Sequence, residues 1–242
     1  MQYEASQIAT FLSRPNRFIA HCVLRDGQEV IAHVKNTGRG KEVFLPGATV
    51  ALNYQASPKR KTDYDLVAIK KGALWINIDS QIPNALAAEN ILSGKIKLPG
   101  LAGAITGLKR EYTYDRSKFD LYFETERQER GFVEVKGMTL ENQLIGAFPD
   151  APTLRGLKHV NELRQAQAEG YKNYLLFIVQ FEPITLATIN QTMQPTLQTA
   201  ITKAEQDGVT VLAYNCHVTA DSITVKGAVP FVLDYPFNDP NQ

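Results

Sequence analysis

Two acids and a lysine stand close together in the middle of the chain. The run SKFDLYFE carries Asp120, and fourteen residues later FVEVKGMTL carries Glu134 and Lys136. Residues two apart on a strand share a face, so Glu134 and Lys136 point the same way. Two hard carboxylate oxygens suit Mg²⁺, which neutralises phosphate charge and lowers the pKa of a bound water. An ammonium beside them can orient that water and steady the developing negative charge. The carbonyl of Val135 supplies a third hard oxygen, and Glu111, just before this strand group, is a further candidate ligand or acid. Mn²⁺ could replace Mg²⁺ on such a set. Spacing alone leaves a solvated strand face as the stronger reading. The apolar Phe132, Val133 and Val135 mark a central strand, where charge on one face needs a reason.

A helix from about Leu154 to Glu169 adds a second set. Arg155, His159 and Glu162 recur at i, i+4 and i+7 as one polar stripe bordered by Lys158, while Leu154, Leu157, Val160 and Leu163 cover much of the rest. The stripe reads either as a solvent face or as a surface turned to the metal centre, with Arg155 or His159 on phosphate. His21, His33 and His217 fall in no ligand spacing, and zinc, Walker and nucleophile-elbow motifs are absent from the sequence.

These residues need a scaffold. The first 80 or so residues read as five short strands: 17–25, 29–35, 48–55, 63–71 and 73–78. That pattern fits a small closed barrel, OB-like or SH3-like. A helix at 83–94 follows, then strands REYTY, KFDLYFE, GFVEVKG and QLIGAF, the helix above, an apolar strand at 174–181, a helix at about 195–207 and two later strands. The expected fold class is α/β, or α+β overall, with a barrel domain at 1–82 and an α/β domain at 83–242. The tail from about 234 to 242 is expected to fray.

Composition is that of an ordinary globular protein, with 44% hydrophobic and 21% charged residues and a net charge of +1. The charge is uneven: the first 82 residues hold 11 Lys and Arg against 7 Asp and Glu, the remainder 15 against 18. A basic front half hints at an anionic partner. Cys22 and Cys216 lie in apolar runs and read as buried free thiols of a reducing compartment. With no basic-then-apolar leader and no run long enough to span a bilayer, the expected location is cytoplasmic, with no membrane partner.

The stretch FPDAPTLRGLKHVNEL at 148–163, joined in order by SRPNRFIAH, HVKNTGRG, DRSKFDLYF and FVEVKGMTL, resembles the sugar fermentation stimulation protein family. The resemblance spans about residues 11–233. It implies a five-stranded OB-like barrel followed by a domain similar to PD-(D/E)xK nucleases, in proteins described as DNA-binding regulators linked to sugar use. On this chain the nuclease-like acids are Asp120 and Glu134, the lysine is Lys136, and Glu111 takes an acidic position before the first core strand. Asp150, Thr153, Arg155, Gly156, Lys158 and His159 fall in the downstream helix motif. The family's usual HCPNTG reads HVKNTG here, keeping His33, Asn36, Thr37 and Gly38 but placing Lys35 where a phosphate contact can be added.

The expected partner is therefore nucleic acid, DNA first, held by Arg14, Arg17, Lys35, Asn36, Lys59, Arg60 and Lys61 of the barrel and by Arg155 and Lys158 of the helix. Phe18, Phe44, Tyr54, Tyr64 and Trp75 include candidates for base stacking, with Phe18 and Trp75 expected to be buried. Two functions compete: a Mg²⁺-dependent nuclease-type phosphodiesterase, and a DNA-binding regulator of sugar-metabolism genes that does not cut. A sugar-responsive interaction protein is a third, since OB-folds also bind oligosaccharides. The sequence does not fix the oligomeric state.

Overall fold

The structure, a computed structural model, describes every residue except Thr37, Arg116 and Gln242. Thr37 of the HVKNTG loop therefore lies outside the described residues. The front domain holds β1 (Ser6–Asn16), β2 (Ile19–Leu24), β3 (Glu29–Val34), β4 (Thr49–Tyr54), β5 (Tyr64–Lys71) and β6 (Leu74–Asn77). Five of them, in the order β3-β2-β1-β4-β5, close into a barrel through a parallel β3–β5 pairing. The count of five matches the expectation, but the membership differs. The barrel uses β1, which the sequence reading left unassigned, and β6 instead extends β5 towards the second domain. Pro15 reads as a strand breaker; here it sits near the end of β1, where the pairing with β2 is already irregular between Ser13 and Asn16. Ala9 and Phe11 carry the inward face of that strand.

The second domain begins with α1 (Ile82–Leu92), followed by β7 (Ile105–Tyr114), β8 (Ser117–Thr125) and β9 (Arg130–Met138) as an antiparallel meander. The chain continues through β10 (Leu140–Asn142), β11 (Ile145–Phe148), α2 (Leu154–Ala168), β12 (Lys172–Val179), β13 (Leu186–Ile189), α3 (Pro195–Gln206), β14 (Thr210–Val218) and β15 (Ile223–Ala228). The main sheet runs β15-β14-β12-β9-β8-β7, with β12 parallel to both β9 and β14. The QLIGAF run does not join it; β11 pairs with β10 and β13 in a separate small sheet.

The near-continuous apolar run of β12 is buried on both faces, as a central parallel strand must be. Phe132, Leu175 and Phe177 pack in one core with Val160 and Leu163 of α2 and Leu197 and Ile201 of α3. Val133, Val135, Leu176 and Ile178 pack in another with Leu86 and Ile91 of α1 and with Val67 and Ala68 from the barrel wall. Burying both faces of one sheet this way removes apolar surface from water and so stabilises the domain.

The two domains are tied by a buried polar junction. Asn77 N–H donates to the Gln180 carbonyl at 2.9 Å, and Gln180 Nε2 donates back to Asn77 Oδ1 at 2.9 Å. The leading residues cross over as well: Tyr3 N–H donates to the Asp221 carbonyl at 2.7 Å, beside a Gln2–Ser222 bridge. The tail does not fray as expected. Asn142 Nδ2 donates to the Asn238 carbonyl, Asn190 Nδ2 donates to Asp239 Oδ2, both at 2.8 Å, and Asp239 is buried. Polar side chains on β10 and in the β13 loop hold it, a partnership that composition cannot reveal. No helix among the described residues is long and apolar enough to cross a membrane.

Candidate metal and phosphate site

The site is built where two strands part. The β8–β9 ladder runs from Glu124↔Arg130 to Leu121↔Val133 and stops there. Beyond it the Asp120 carboxylate occupies the fork, its Oδ2 accepting the Val135 N–H at 2.9 Å and its Oδ1 accepting Asn84 Nδ2 of α1 at 2.7 Å. A residue's N–H and C=O leave a strand on the same edge, so the Val135 carbonyl also faces this fork.

Glu134 lies on the α2 side of β9, in phase with Phe132, and is 1% exposed. Its Oε1 meets both the Lys136 ammonium and Nδ1 of His159. Its Oε2 is buried with no hydrogen-bond partner among the described residues. Burial pushes the Glu134 carboxyl up, but Lys136 and His159 outweigh it and hold it below the usual carboxylate range. Burial, and then the charge of Glu134, push Asp120 above its usual value. An unsatisfied ionised oxygen costs free energy in a buried position. A divalent cation would satisfy it, so the donor set fits Mg²⁺ through Glu134 Oε2, Asp120 and the Val135 carbonyl. Among the described residues no group of three or more His, Cys, Asp or Glu is placed to hold a metal.

Thr153 caps α2, accepting the Gly156 N–H at 2.9 Å, and fixes the helix so that His159 faces Glu134. The predicted stripe divides. His159 is buried on Glu134, Glu162 accepts the Ser117 hydroxyl at 2.6 Å, and Arg155 is exposed. Lys158 donates to Ser117 Oγ at 2.7 Å and stays largely exposed. Leu154, expected on the apolar face, is 80% exposed because the capping turn carries it outward. Glu111 lies inside β7, not before it, between the residues that pair with Leu121 and Phe119. It is exposed with φ 55, and its side chain forms no hydrogen bond or ion pair among the described residues.

The basic residues of the barrel also divide. Arg14 donates to the carbonyls of Arg17, Asn36, Gly38 and Arg39 at 2.7–3.0 Å and stacks on Phe44, so it organises the loop instead of reaching outward. Asn36 Oδ1 accepts the Gly38 N–H at 2.7 Å. A Cβ on Gly38 would stand 1.8 Å from Asp150 Oδ2, so a larger residue would force the Asp150 side chain to shift where this loop meets the second domain. Lys35 pairs with Asp65 at 2.9 Å and Asp79 at 3.4 Å, and Arg60 pairs with Asp65. Arg14, Lys35 and Arg60, expected on phosphate, thus make internal contacts in the structure. Arg17, Lys59 and Lys61 are exposed. Phe18 is 53% exposed, against the expectation of burial, because it sits at the hairpin tip beyond the barrel wall; Trp75 is half-buried.

Asn84 was not singled out in the sequence. Its partner lies 36 residues away, and nothing local marks it.

A family model described as the SfsA N-terminal OB domain matches residues 12–78, and one described as the sugar fermentation stimulation protein RE domain matches residues 81–222. A sugar fermentation stimulation protein homolog of Enterococcus mundtii is 58% identical over 100% of both chains. One of Alkaliphilus oremlandii is 45% identical, covering 97% of this chain and 99% of its own. The structure of Pyrococcus furiosus SfsA in complex with Ca²⁺ shares the fold, with a TM-score of 0.84 at 24% identity over 96% of this chain and 98% of that one.

Proposed function

The chain belongs to the sugar fermentation stimulation protein family, and we propose that its second domain carries a Mg²⁺-dependent phosphodiesterase site acting on nucleic acid, DNA first. The observation that carries this reading is Glu134 Oε2, buried and unpartnered beside a second acid. When bound there, Mg²⁺ or Mn²⁺ supplies charge neutralisation on phosphate and a water of lowered pKa. The chain's own residues prepare the site. Asn84 and the Val135 N–H fix both oxygens of Asp120. His159 holds Glu134 by Oε1 and so leaves Oε2 free to bind. Lys136, 15% exposed, is placed to donate to a phosphate oxygen and to steady charge that develops on it.

A specific observation favours the competing reading, a DNA-binding regulator that does not cut: the described residues include no third acid, histidine or cysteine placed to complete a metal cluster. A cleavage panel separates the two. Single- and double-stranded DNA and RNA are incubated with Mg²⁺ or Mn²⁺, comparing wild type with Glu134→Gln. Cleavage by wild type alone supports the phosphodiesterase. Metal binding without cleavage of any substrate overturns it in favour of the regulator.

A further inference from the structure

The junction between the domains leaves a cleft of about 290 Å³. The barrel lines it with Arg17, Asn36 and Gly38, and the second domain with Gly137, Thr139 and Thr153. Gly137 follows Lys136 on β9, so the cleft starts one residue from the candidate site. Its volume lies at the small end of pockets that hold single small molecules, roughly 300–1,000 Å³. A double helix has no place in it.

At the barrel side of this cleft stands the β1–β2 hairpin tip. Phe18 there is 53% exposed and has no ring partner among the described residues. Of the other candidate rings of the barrel, Phe44 lies against Phe11 and Arg14, Tyr54 lies against Tyr64, and Trp75 is half-buried against the core. The tip is nonetheless held firmly. Phe18 N–H donates to Asn16 Oδ1 at 2.9 Å, its carbonyl accepts the Val34 N–H at 2.8 Å, and Arg14 binds the Arg17 carbonyl at 2.8 Å. A backbone held in place this way has little freedom left to lose on binding.

Charge points to the same ligand. Lys35 and Arg60 are taken up by Asp65, whereas Arg17 and Arg39, whose carbonyls Arg14 binds, and Arg155 on the helix side are exposed and form no ion pair among the described residues. Burial pushes Asp150, the acid among the described residues of the lining, above its usual carboxylate range, and the charge of Arg14 opposes that push. A ring next to exposed guanidinium groups is the arrangement that holds unpaired bases and their phosphates.

We infer that the cleft receives one nucleotide of a single strand, with Phe18 stacked on a neighbouring base and Arg17 on a phosphate between them. This deepens the phosphodiesterase reading and rests on it for the purpose of the cleft. Binding is tested apart from cleavage, by fluorescence anisotropy of the full chain in EDTA. The probes are a labelled DNA strand of about 12 nucleotides, the same sequence as RNA, and each as a duplex, across a salt series. The single strands are expected to bind more tightly than the duplexes. Phe18→Ala should weaken single-strand binding about tenfold and Phe18→Tyr should retain it. Arg17→Gln should flatten the salt slope by roughly 0.7. Equal or tighter duplex binding, an unchanged Phe18→Ala protein, or no binding at all overturns the inference. Single-strand binding without cleavage in the metal panel leaves it standing and removes only the phosphodiesterase.

Discussion

The barrel and the second domain each bury a carboxylate on a strand, Asp65 on β5 and Glu134 on β9, both 1% exposed. Around Asp65, Arg60 and Lys35 engage both oxygens, with His33 at 3.6 Å. Around Glu134, two donors crowd onto one oxygen and leave the other bare. A group meant only to stabilise a fold is cheapest when every lone pair is met. Asp65 follows that rule and Glu134 breaks it, beside a second acid whose own ionisation is disfavoured. On the proposed reading, that contrast separates a structural ion pair at Asp65 from a carboxylate at Glu134 with one oxygen left for a cation.

The contrast can be broken most sharply at Lys136. Lys136→Ala should lower cleavage by about 100–1,000-fold, measured as single-turnover rates on protein shown by its far-ultraviolet spectrum to be folded. Wild-type cleavage by that variant ends the assignment of its role. At the other carboxylate, Asp65→Asn should cost stability and no activity. The expected loss is about 2 kcal/mol in urea unfolding, reduced from the usual cost of breaking a buried pair because Lys35 and Arg60 are partly exposed. An unchanged midpoint would mean the barrel's pair is ornamental. His159→Gln should weaken Mn²⁺ affinity by about tenfold, read by calorimetry, with the far-ultraviolet spectrum unchanged.

The smallest effect is that of acid. Burial raises Asp65, but Arg60 and Lys35 outweigh it and depress the carboxyl below its unfolded value. The unfolded chain therefore takes up the proton first on acidification. The stabilisation is full above roughly pH 4 and is lost as pH falls through the folded value. Asp65→Asn should flatten that part of the stability profile; a profile of the same slope would contradict it.

Local periodicity carried much of this layout. The two-residue repeat put Glu134 and Lys136 on one face, and the helical repeat put His159 where a facing helix could reach them. What stayed hidden depends on distant partners. Pro15 disguised β1, whose place is set by pairing with β2 and β4. Asn84 needed Asp120, and the roles of Arg14, Lys35 and Arg60 were decided by carbonyls and acids from other strands. Glu111 has the right charge, but it lies exposed on the outermost strand, with a left-handed backbone that only the fold reveals. Spacing reports which face a side chain takes; it does not report whether a neighbour has already claimed it.

The clasp between residues 2–3 and 221–222 makes the two domains depend on each other. The barrel precedes the second domain in the chain, yet residues 2 and 3 find these partners in the turn between β14 and β15. Val67 and Ala68 of the barrel wall share a core with residues of α1 and β9, so a barrel separated from the second domain would present an apolar wall to water.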